Sequence, residues 1–415
     1  METWMFRQKK VLLEIKMPKE VLKPLKSMEQ VFSAIWGNVF DPPDWFEYWF
    51  EGKDLDTVQL EMASLGGEPH LYVRCSEFRR NAVESSIYSQ YPEAEISAVD
   101  DYTKYVPQDT PNRDWEIWGT DYFLNRDEVY PIKTYADFFE ETESAKEEKR
   151  IDPMATLLEG MAKLGPNEQL WIQVAATPVL SVKSILDGGY GDFVAKGREI
   201  ADMLAKRVAK PEPKSILVEA FDEAAYLKMP GSKTEEEKAE EKQVFPAEMR
   251  LTPGEKNVVE AVEKKIAKRC FSCFIRFIYL AKRDSYFGGA KAIPFGFFNQ
   301  FATENLNNPR PWTRTITKIR KYITINFLVG KISLPTLGIL EKRRIFLRKR
   351  RLFFRYTKRM SPLFPRPSGI GVFVLNTEEL ATIFHFPGRL VAPAPFVSRV
   401  ESKRGEAPPG LPMEE

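Results

Sequence analysis

Hydrophobic and polar positions in the first hundred residues predict four strands and two helices. Residues 11–16 form a short apolar run, and residues 57–65 and 69–75 alternate in hydrophobicity on either side of a Gly-Gly pair, which predicts a hairpin. Apolar side chains recur at helical spacing from Met28 to Trp36, a second helix is predicted from Ser76 to about Tyr88, and residues 93–99 form a last strand. This order of elements predicts a ferredoxin-like (split βαβ) module.

A second, more interrupted module is predicted for residues 109–309. Its strands are predicted at 115–124, 131–135, 169–176 and 271–281, and its helices at 153–163, 192–208, from Thr252-Pro253 onward and near 294–305. Residues 178–245 are interpreted as an insertion, because the stretch 231–243 is highly charged and has no apolar face.

The predicted fold class is therefore α+β. It has two ferredoxin-like modules with a charged helical insertion, followed by a C-terminal basic helix and a strand–helix element. The predicted domains are residues 1–108, residues 109–309 with the insertion at 178–245, and residues 310–400. Residues 401–415 are polar and rich in proline, and a disordered tail is predicted there.

The strand–helix element near the C-terminus has clear local signals. Residues 371–375 are apolar and predict a buried strand, and Asn376 followed three residues later by Glu379 predicts a capping box. Leu380, Ile383 and Phe384 then lie on one helical face, and Pro387-Gly388 ends the helix.

The same segment, LNTEELATIFHFPG at residues 375–388, resembles a known sequence element. It is similar to LNTEELATLFHLP in bacterial type IV secretion and conjugative-transfer ATPases of the FtsK–HerA lineage, where the element lies just upstream of the nucleotide-binding core. Further passages resemble an uncharacterised family associated with these systems and encoded separately from the motor. They are residues 12–19, 91–97, 101–106, 149–153, 164–173 and 364–367.

The resemblance implies an assembly role without chemistry. An ATPase would need Gly-x-x-x-x-Gly-Lys-Ser/Thr to hold phosphates and Mg²⁺, and the sequence has no such string; the Gly-Gly-Tyr-Gly run at 188–191 lacks the Lys-Ser/Thr. We therefore expect a non-enzymatic accessory subunit with no cofactor, which partners a separately encoded P-loop ATPase at the cytoplasmic membrane face. The expected partner interface is Glu378, Glu379, Phe384, His385 and Phe386.

The chain has a net charge of only +2, but the two signs are unevenly distributed. Residues 1–250 hold 31 Lys/Arg against 47 Asp/Glu, whereas residues 251–415 hold 30 against 12. This asymmetry predicts either two halves that attract each other or a basic end that meets a polyanion.

The basic stretch 342–359 holds ten Lys/Arg residues, and its apolar residues have partial helical phasing. Three roles remain open: binding DNA phosphates, lying on the anionic inner membrane surface, or packing the apolar stripe on the core while the charges face the acidic half. Charge reversal across residues 348–351 is expected to weaken DNA or membrane binding without loss of stability. The candidate nucleic-acid or lipid contacts are Lys342, Arg343, Arg344, Arg348, Lys349, Arg350, Arg351 and Arg355.

Other candidate sites have weaker signals. Cys270 and Cys273 have CxxC spacing without further ligands nearby, so buried, inert thiols are expected and no metal site is predicted. An aromatic-rich loop at residues 41–50 suggests a protein or membrane interface, although packing of the loop on its own module is slightly favoured. Tyr72 is the one aromatic that a nucleic-acid-binding sheet would offer on the strand 69–75, and such a stand-alone nucleic-acid-binding protein is the alternative function.

Cysteine usage and segment hydrophobicity bear on location. Three cysteines fit a reducing cytosol, and the first residues lack the apolar region of a signal peptide. No stretch reaches about 18 uncharged apolar residues, so no transmembrane segment is expected. These features predict a cytoplasmic protein, either free or peripheral at the inner face of the plasma membrane.

Overall fold

The computed structural model has an α+β fold, as predicted, built on an antiparallel sheet. It describes residues 8–18, 23–53, 55–138, 152–179, 193–205, 251–318, 322–327, 330–335, 341–362 and 371–387. Most of the predicted insertion and the whole of the predicted tail at 401–415 lie outside the described residues, as does the Gly-rich run at 188–191.

The first part of the chain follows the predicted order of elements. The elements are β1 (Lys10–Lys16), α1 (Leu25–Val39), β2 (Val58–Leu65), β3 (Glu68–Ser76), α2 (Arg80–Tyr88) and β4 (Glu95–Val99). The β2–β3 hairpin turns at Gly66 and Gly67, whose φ angles are 67° and 94°. A Cβ at Gly67 would also lie 2.5 Å from the carbonyl oxygen of Leu164, so glycine is required there for both backbone angle and space.

The second part contains most of the predicted elements and one correction. The elements are β5 (Trp115–Leu124), α3 (Pro153–Ala162), β6 (Glu168–Pro178), α4 (Phe193–Leu204), α5 (Pro253–Ile266), β7 (Cys270–Lys282), α6 (Ala292–Asn299) and β8 (Pro309–Pro311). The prediction of a strand at residues 131–135 is wrong. There the amide of Ile132 donates to the carboxylate of Glu379 and that of Tyr135 to the hydroxyl of Thr382, so side chains take the place of a strand ladder.

The last part contains a hairpin and the two predicted C-terminal features. The elements are β9 (Tyr322–Phe327), β10 (Gly330–Pro335), α7 (Glu341–Thr357), β11 (Phe373–Asn376) and α8 (Thr377–Ile383). The capping box at the start of α8 is present, with Asn376 and Glu379 each accepting the other's backbone amide. A basic helix at α7 and a strand–helix element at β11–α8 were both predicted.

One sheet joins the first two parts. Its order in the described residues is β4-β1-β3-β2-β6-β7-β5-β8, and β11 pairs with β7 in line with β5. All of its ladders are antiparallel. Numbered within each part, the strands run 4-1-3-2 and then 2-3-1-4, so the order is mirrored about the β2–β6 ladder. The predicted domain boundary at residue 108 stays a prediction. The β2–β6 ladder, from the pair Val58–Ala176 to the pair Leu65–Gln169, joins strands that lie on either side of that boundary in the chain.

The two faces of the sheet are covered differently. Apolar side chains of α1, α2, α3, α6 and α8 form one large core with the first face. The opposite face carries a smaller apolar cluster that includes Leu352, Phe353 and Tyr356 of α7. None of the described helices combines the length and apolar composition that a membrane crossing requires.

Candidate functional site

Helix α7 has two distinct faces. Leu352, Phe353 and Tyr356 are buried, and they follow one another at helical spacing on the side that meets the sheet. The other side is exposed and mixes basic with apolar residues. We call this set the outward face of α7: Arg343, Phe346, Leu347, Arg350, Arg351 and Phe354.

The buried side of α7 packs on aromatic and small residues of the sheet. The ring centroids of Trp171 and Tyr356 are 5.4 Å apart, and those of Trp171 and Phe353 are 6.4 Å apart. Gly119 on β5 makes room for the helix, because a Cβ there would lie 2.9 Å from Cδ2 of Leu352. Packing of the apolar stripe on the core, one of the three roles left open by the sequence, is therefore present.

A row of polar residues crosses the same face of the sheet. One residue from each of six neighbouring strands lies in register, in the order Glu14, Tyr72, Glu61, Gln173, Arg276 and Asp121. All six are buried. Polar side chains that lose water need partners, so this polar row must be satisfied by side chains that lie above it.

Arg359, just beyond α7, supplies the partner for Glu61. Its Nε and Nη2 donate to the two carboxylate oxygens of Glu61 at 2.9 and 3.0 Å, and Nη2 also donates to Asp101 at 3.0 Å. Gln173 and Tyr102 donate to Glu61 as well. Burial alone would raise the pKa of Glu61. The charge and hydrogen bonds of Arg359, with the hydrogen bonds from Tyr102 and Gln173, outweigh burial and hold that pKa below its usual value.

Arg359 has a backbone conformation that is unusual for an arginine. The amide of Met360 donates to the carbonyl of Arg355, and that of Arg359 donates to the carbonyl of Tyr356, which is the Schellman pattern of a helix end. This pattern places Arg359 at φ 54°, a left-handed conformation in which glycine is the usual residue. The bidentate contact with Glu61 accounts for arginine at a position that favours glycine.

The other end of the polar row is only partly satisfied. Arg276 donates from Nε to Asp121 at 2.8 Å, and its guanidinium lies 4.8 Å from the ring centroid of Phe274. Both terminal nitrogens of Arg276, Oδ2 of Asp121 and Oε1 of Gln173 lack hydrogen-bond partners in the described part of the chain. These atoms include both donors and acceptors, as a buried water site would require.

The predicted basic contacts divide between the two faces of α7. Arg348 donates to the carbonyls of Ile316 and Lys318, and Lys349 lies 2.8 Å from Glu116. Arg355 is half-buried. The remaining predicted contacts are exposed and form no ion pair with described residues: Lys342, Arg343, Arg344, Arg350 and Arg351.

The predicted partner interface on α8 lies largely inside the chain. Phe384 and His385 are fully buried and Phe386 is 5% exposed. Glu379 is also fully buried, and its carboxylate accepts from Lys265, Asn376 and Ile132. These four side chains cannot meet a partner in this conformation, so the interface assigned to them needs correction.

The side chains of Glu378 and His385 also contact other residues of the chain. Glu378 is 2.6 Å from Nζ of Lys268. His385 lies 2.8 Å from Oδ1 of Asp152 through Nε2, and 2.9 Å from the carbonyl oxygen of Ala381 through Nδ1. The β11–α8 element also shares a core with α1 and forms an ion pair with Lys265 of α5, so it fastens α1, α3 and α5 to the sheet.

Cys270 and Cys273 are buried, as predicted, and Cys75 is buried too. Burial raises the pKa of Cys75 and Cys270 to about 12 and that of Cys273 well above the usual value. Across the ranges that the structure describes, no group of three or more His, Cys, Asp or Glu side chains is arranged to hold a metal ion.

A second exposed surface is formed by the aromatic-rich loop. Packing of residues 41–50 on their own module was slightly favoured over an interface, but Trp45, Phe46, Trp49 and Phe50 are 56–67% exposed. We call residues 41–53 the aromatic loop. The signal that identifies the loop is its density of aromatic residues. Sequence alone does not show whether such rings turn inward or outward, because both outcomes satisfy the same local pattern.

Tyr72, the aromatic that a nucleic-acid-binding sheet would use, is not available on the surface. It is 4% exposed and stacks between His70 and Tyr102, with centroid distances of 5.7 and 5.1 Å. Base stacking on this face would require an open sheet. The position of Tyr72 therefore does not favour the alternative function.

No protein-family model matches this chain, and no curated protein matches it.

Proposed function

We propose that this chain is a non-enzymatic assembly subunit of a type IV secretion or conjugative DNA-transfer machine. In this proposal it binds a separately encoded P-loop ATPase at the cytoplasmic face of the membrane, through the outward face of α7. The resemblance of residues 375–388 and of the other matching passages supports the choice of system. The two-faced character of α7 is the observation that carries the choice of surface.

The argument for a protein-binding surface rests on composition. A solvent-exposed helix face without a binding role carries mostly charged and polar side chains. On this face Phe346, Leu347 and Phe354 are 40–51% exposed, between arginines that form no ion pair with described residues. The guanidinium of Arg350 lies 6.0 Å from the ring centroid of Phe346. Arginine and aromatic residues are enriched in protein interfaces, where they supply both apolar area and directed hydrogen bonds.

The architecture also supports the ferredoxin-like assignment. We assign residues 1–108 and 109–309 to two such modules, with the last strand β8 extending two residues beyond the second range. Each half of the sheet has the strand order 4-1-3-2 and carries two crossover helices on the same face. The mirrored order is what an internal duplication joined at its second strands would produce. In the family that the chain resembles, comparable α+β modules are thought to mediate assembly.

The test uses charge reversal restricted to exposed residues. Arg348 and Lys349 hold the helix to its own chain, so the variant changes only Arg350→Glu and Arg351→Glu, with Lys104→Glu and Lys256→Glu as an exposed charge-matched control. Tagged protein is purified from solubilised native membranes, and the recovered proteins are identified by mass spectrometry. We expect a P-loop ATPase with the wild type and the control, reduced about tenfold or more with the variant.

Two results would overturn the proposal. One is recovery of no P-loop ATPase by the wild-type chain. The other is equal recovery by the wild type and the variant. Binding of purified chain to double-stranded DNA that falls steeply with salt and is lost in the same variant would instead favour the nucleic-acid alternative.

A further inference from the structure

Hydrogen bonds between its own residues hold the conformation of the aromatic loop. The amide of Glu47 donates to Asp44 at 2.7 Å and that of Asp44 donates to Glu47 at 3.0 Å, so the two residues cap each other. Lys53 then binds both carboxylate oxygens of Glu47 at 2.9 Å. Gly52, at φ 68°, ends the short π-helix Glu47–Glu51. These contacts hold the segment that displays the rings.

The rings form a connected patch. Phe46 stacks on Phe50 with centroids 5.0 Å apart, and Trp45 meets Phe50 edge-on at 5.6 Å. Four aromatic residues of about 150–250 Å² each, exposed by more than half, offer roughly 400–500 Å² of apolar surface. A standard interface buries about 800 Å² on each partner, so this patch could supply about half of one.

The charge around the patch selects the type of partner. The loop carries the carboxylates of Asp41, Asp44, Glu47 and Glu51 against the single amine of Lys53. Asp41 pairs with Arg79 and Glu47 pairs with Lys53, which leaves the exposed carboxylates of Asp44 and Glu51 as the acidic rim of the patch. An acidic rim would repel an anionic membrane or nucleic acid. It fits a surface that combines cations with apolar side chains.

The outward face of α7 has this combination. Its three exposed apolar side chains lie beside Arg343, Arg350 and Arg351, which can reach carboxylates or cover aromatic rings. The two surfaces cannot easily meet within one chain. The loop emerges from α1, which packs on the large-core face of the sheet, whereas α7 packs on the opposite face.

We propose that the aromatic loop of one copy of this chain binds the outward face of α7 of a second copy. The contact is head-to-tail, because each copy uses a different surface, and repetition leads to a ring or an open chain of subunits. This inference rests on the proposed function only in taking the outward face of α7 as a protein-binding surface. The aromatic loop of a second copy and the ATPase would then compete for that face.

The experiment exploits the two different surfaces. The loop variant carries Phe46→Ser and Phe50→Ser, and the helix variant carries Arg350→Glu and Phe354→Glu. All four residues are exposed. Phe287→Ser, which changes another exposed aromatic residue, is the control. Mass is measured by sedimentation and light scattering over a range of concentrations of the purified full chain.

The expected outcomes are specific to a head-to-tail contact. The measured mass of the wild type and of the control should rise with concentration from 47.9 kDa to multiples of that value. The increase should be smaller in about 500 mM salt than in about 50 mM salt. Each variant alone stays a monomer, with association weakened about tenfold or more. A mixture of the two variants forms 1:1 dimers and nothing larger, because one loop and one helix face remain intact.

Other outcomes would overturn the inference, and they are separate from failure of the proposed function. A wild-type chain that stays monomeric, association that survives either variant, or a variant mixture that stays monomeric each excludes the contact. Recovery of the ATPase by a chain that never self-associates would leave the proposed function standing alone. Dimers in the variant mixture without any ATPase in the affinity experiment would leave only the self-association.

Discussion

Replacement of Arg359 tests whether α7 is held in place by the buried ion pair beneath its C-terminal end. Arg359→Met removes the guanidinium and leaves Glu61, which is fully buried, without its cation. Breaking a buried pair by removing one partner typically costs about 3–5 kcal/mol, because the remaining charge is uncompensated. We expect a loss of that size in the free energy of unfolding at pH 7.

The pH dependence gives an independent check with a defined sign. In the wild type the pKa of Glu61 lies below its usual value, so its stabilising contribution is present above the unfolded pKa and is lost as pH falls through the folded pKa. In the variant, burial without Arg359 favours the protonated acid. The stability difference between wild type and variant should therefore shrink as the pH is lowered from 7 towards about 4.

Two matched substitutions separate the charge from the backbone. The double variant Glu61→Met with Arg359→Met should be more stable than Arg359→Met alone, because neither buried partner keeps a charge. Arg359→Gly should be more stable than Arg359→Ala by about 1 kcal/mol, because both lack the guanidinium and only glycine is unstrained at φ 54°.

The measurement is urea unfolding followed by circular dichroism, together with hydrogen exchange of peptides that cover α7. We expect faster exchange in α7 than in β7 when Arg359 is replaced, because the helix loses its anchor while the central strand keeps its ladders. A loss below about 1 kcal/mol with unchanged exchange in α7 would refute the reasoning. So would a double variant no more stable than Arg359→Met alone.

Three further predictions concern the rest of the buried polar structure. Lys265→Met should destabilise the fold by about 3 kcal/mol in urea unfolding, because it leaves the buried Glu379 without its cation, and an unchanged midpoint would contradict the assigned pair. Asp152→Asn keeps an acceptor for the α3 cap but loses the charge that faces His385. Burial raises the pKa of Asp152, but the contact with His385 outweighs burial and lowers it. The greater stability of the wild type in urea unfolding should therefore fade as pH falls below about 4, and a stability difference that does not change with pH would contradict this. The three thiols, whose pKa values burial raises, should react with a thiol reagent only after unfolding in urea, and rapid reaction of the native chain would show that a thiol is accessible.

Local patterns in the sequence predicted local structure well. The Gly-Gly turn between β2 and β3, the capping box at Asn376 and the apolar strand β7 all depend on interactions between residues close in the chain. The strand predicted at 131–135 failed for the complementary reason. Two of its amides, those of Ile132 and Tyr135, are bound by Glu379 and Thr382, about 250 residues further along, and no local pattern contains that information.

The polar row was missed because period-two alternation does not distinguish a covered face from an open one. Glu61, Gln173 and Arg276 occupy alternate positions in otherwise apolar strands, the pattern expected when one side of a sheet meets water. The structure covers that side with α7 and Tyr102 instead. A signal was available in the Tyr-x-x-Arg spacing of Tyr356 and Arg359, which places a hydroxyl and a guanidinium at one end of an amphipathic helix.

The three roles left open for the basic stretch were framed as alternatives, but they concern different residues. The charge asymmetry between the two halves of the chain is partly used internally, since Lys349 meets Glu116 and Arg359 meets Glu61 and Asp101. Those contacts fix the rotation of α7 about its own axis. Once the rotation is fixed, the remaining arginines must face outward together with the apolar residues between them. The internal ion pairs thus determine which charges face solvent, and substitutions that test binding must spare the residues that hold the helix.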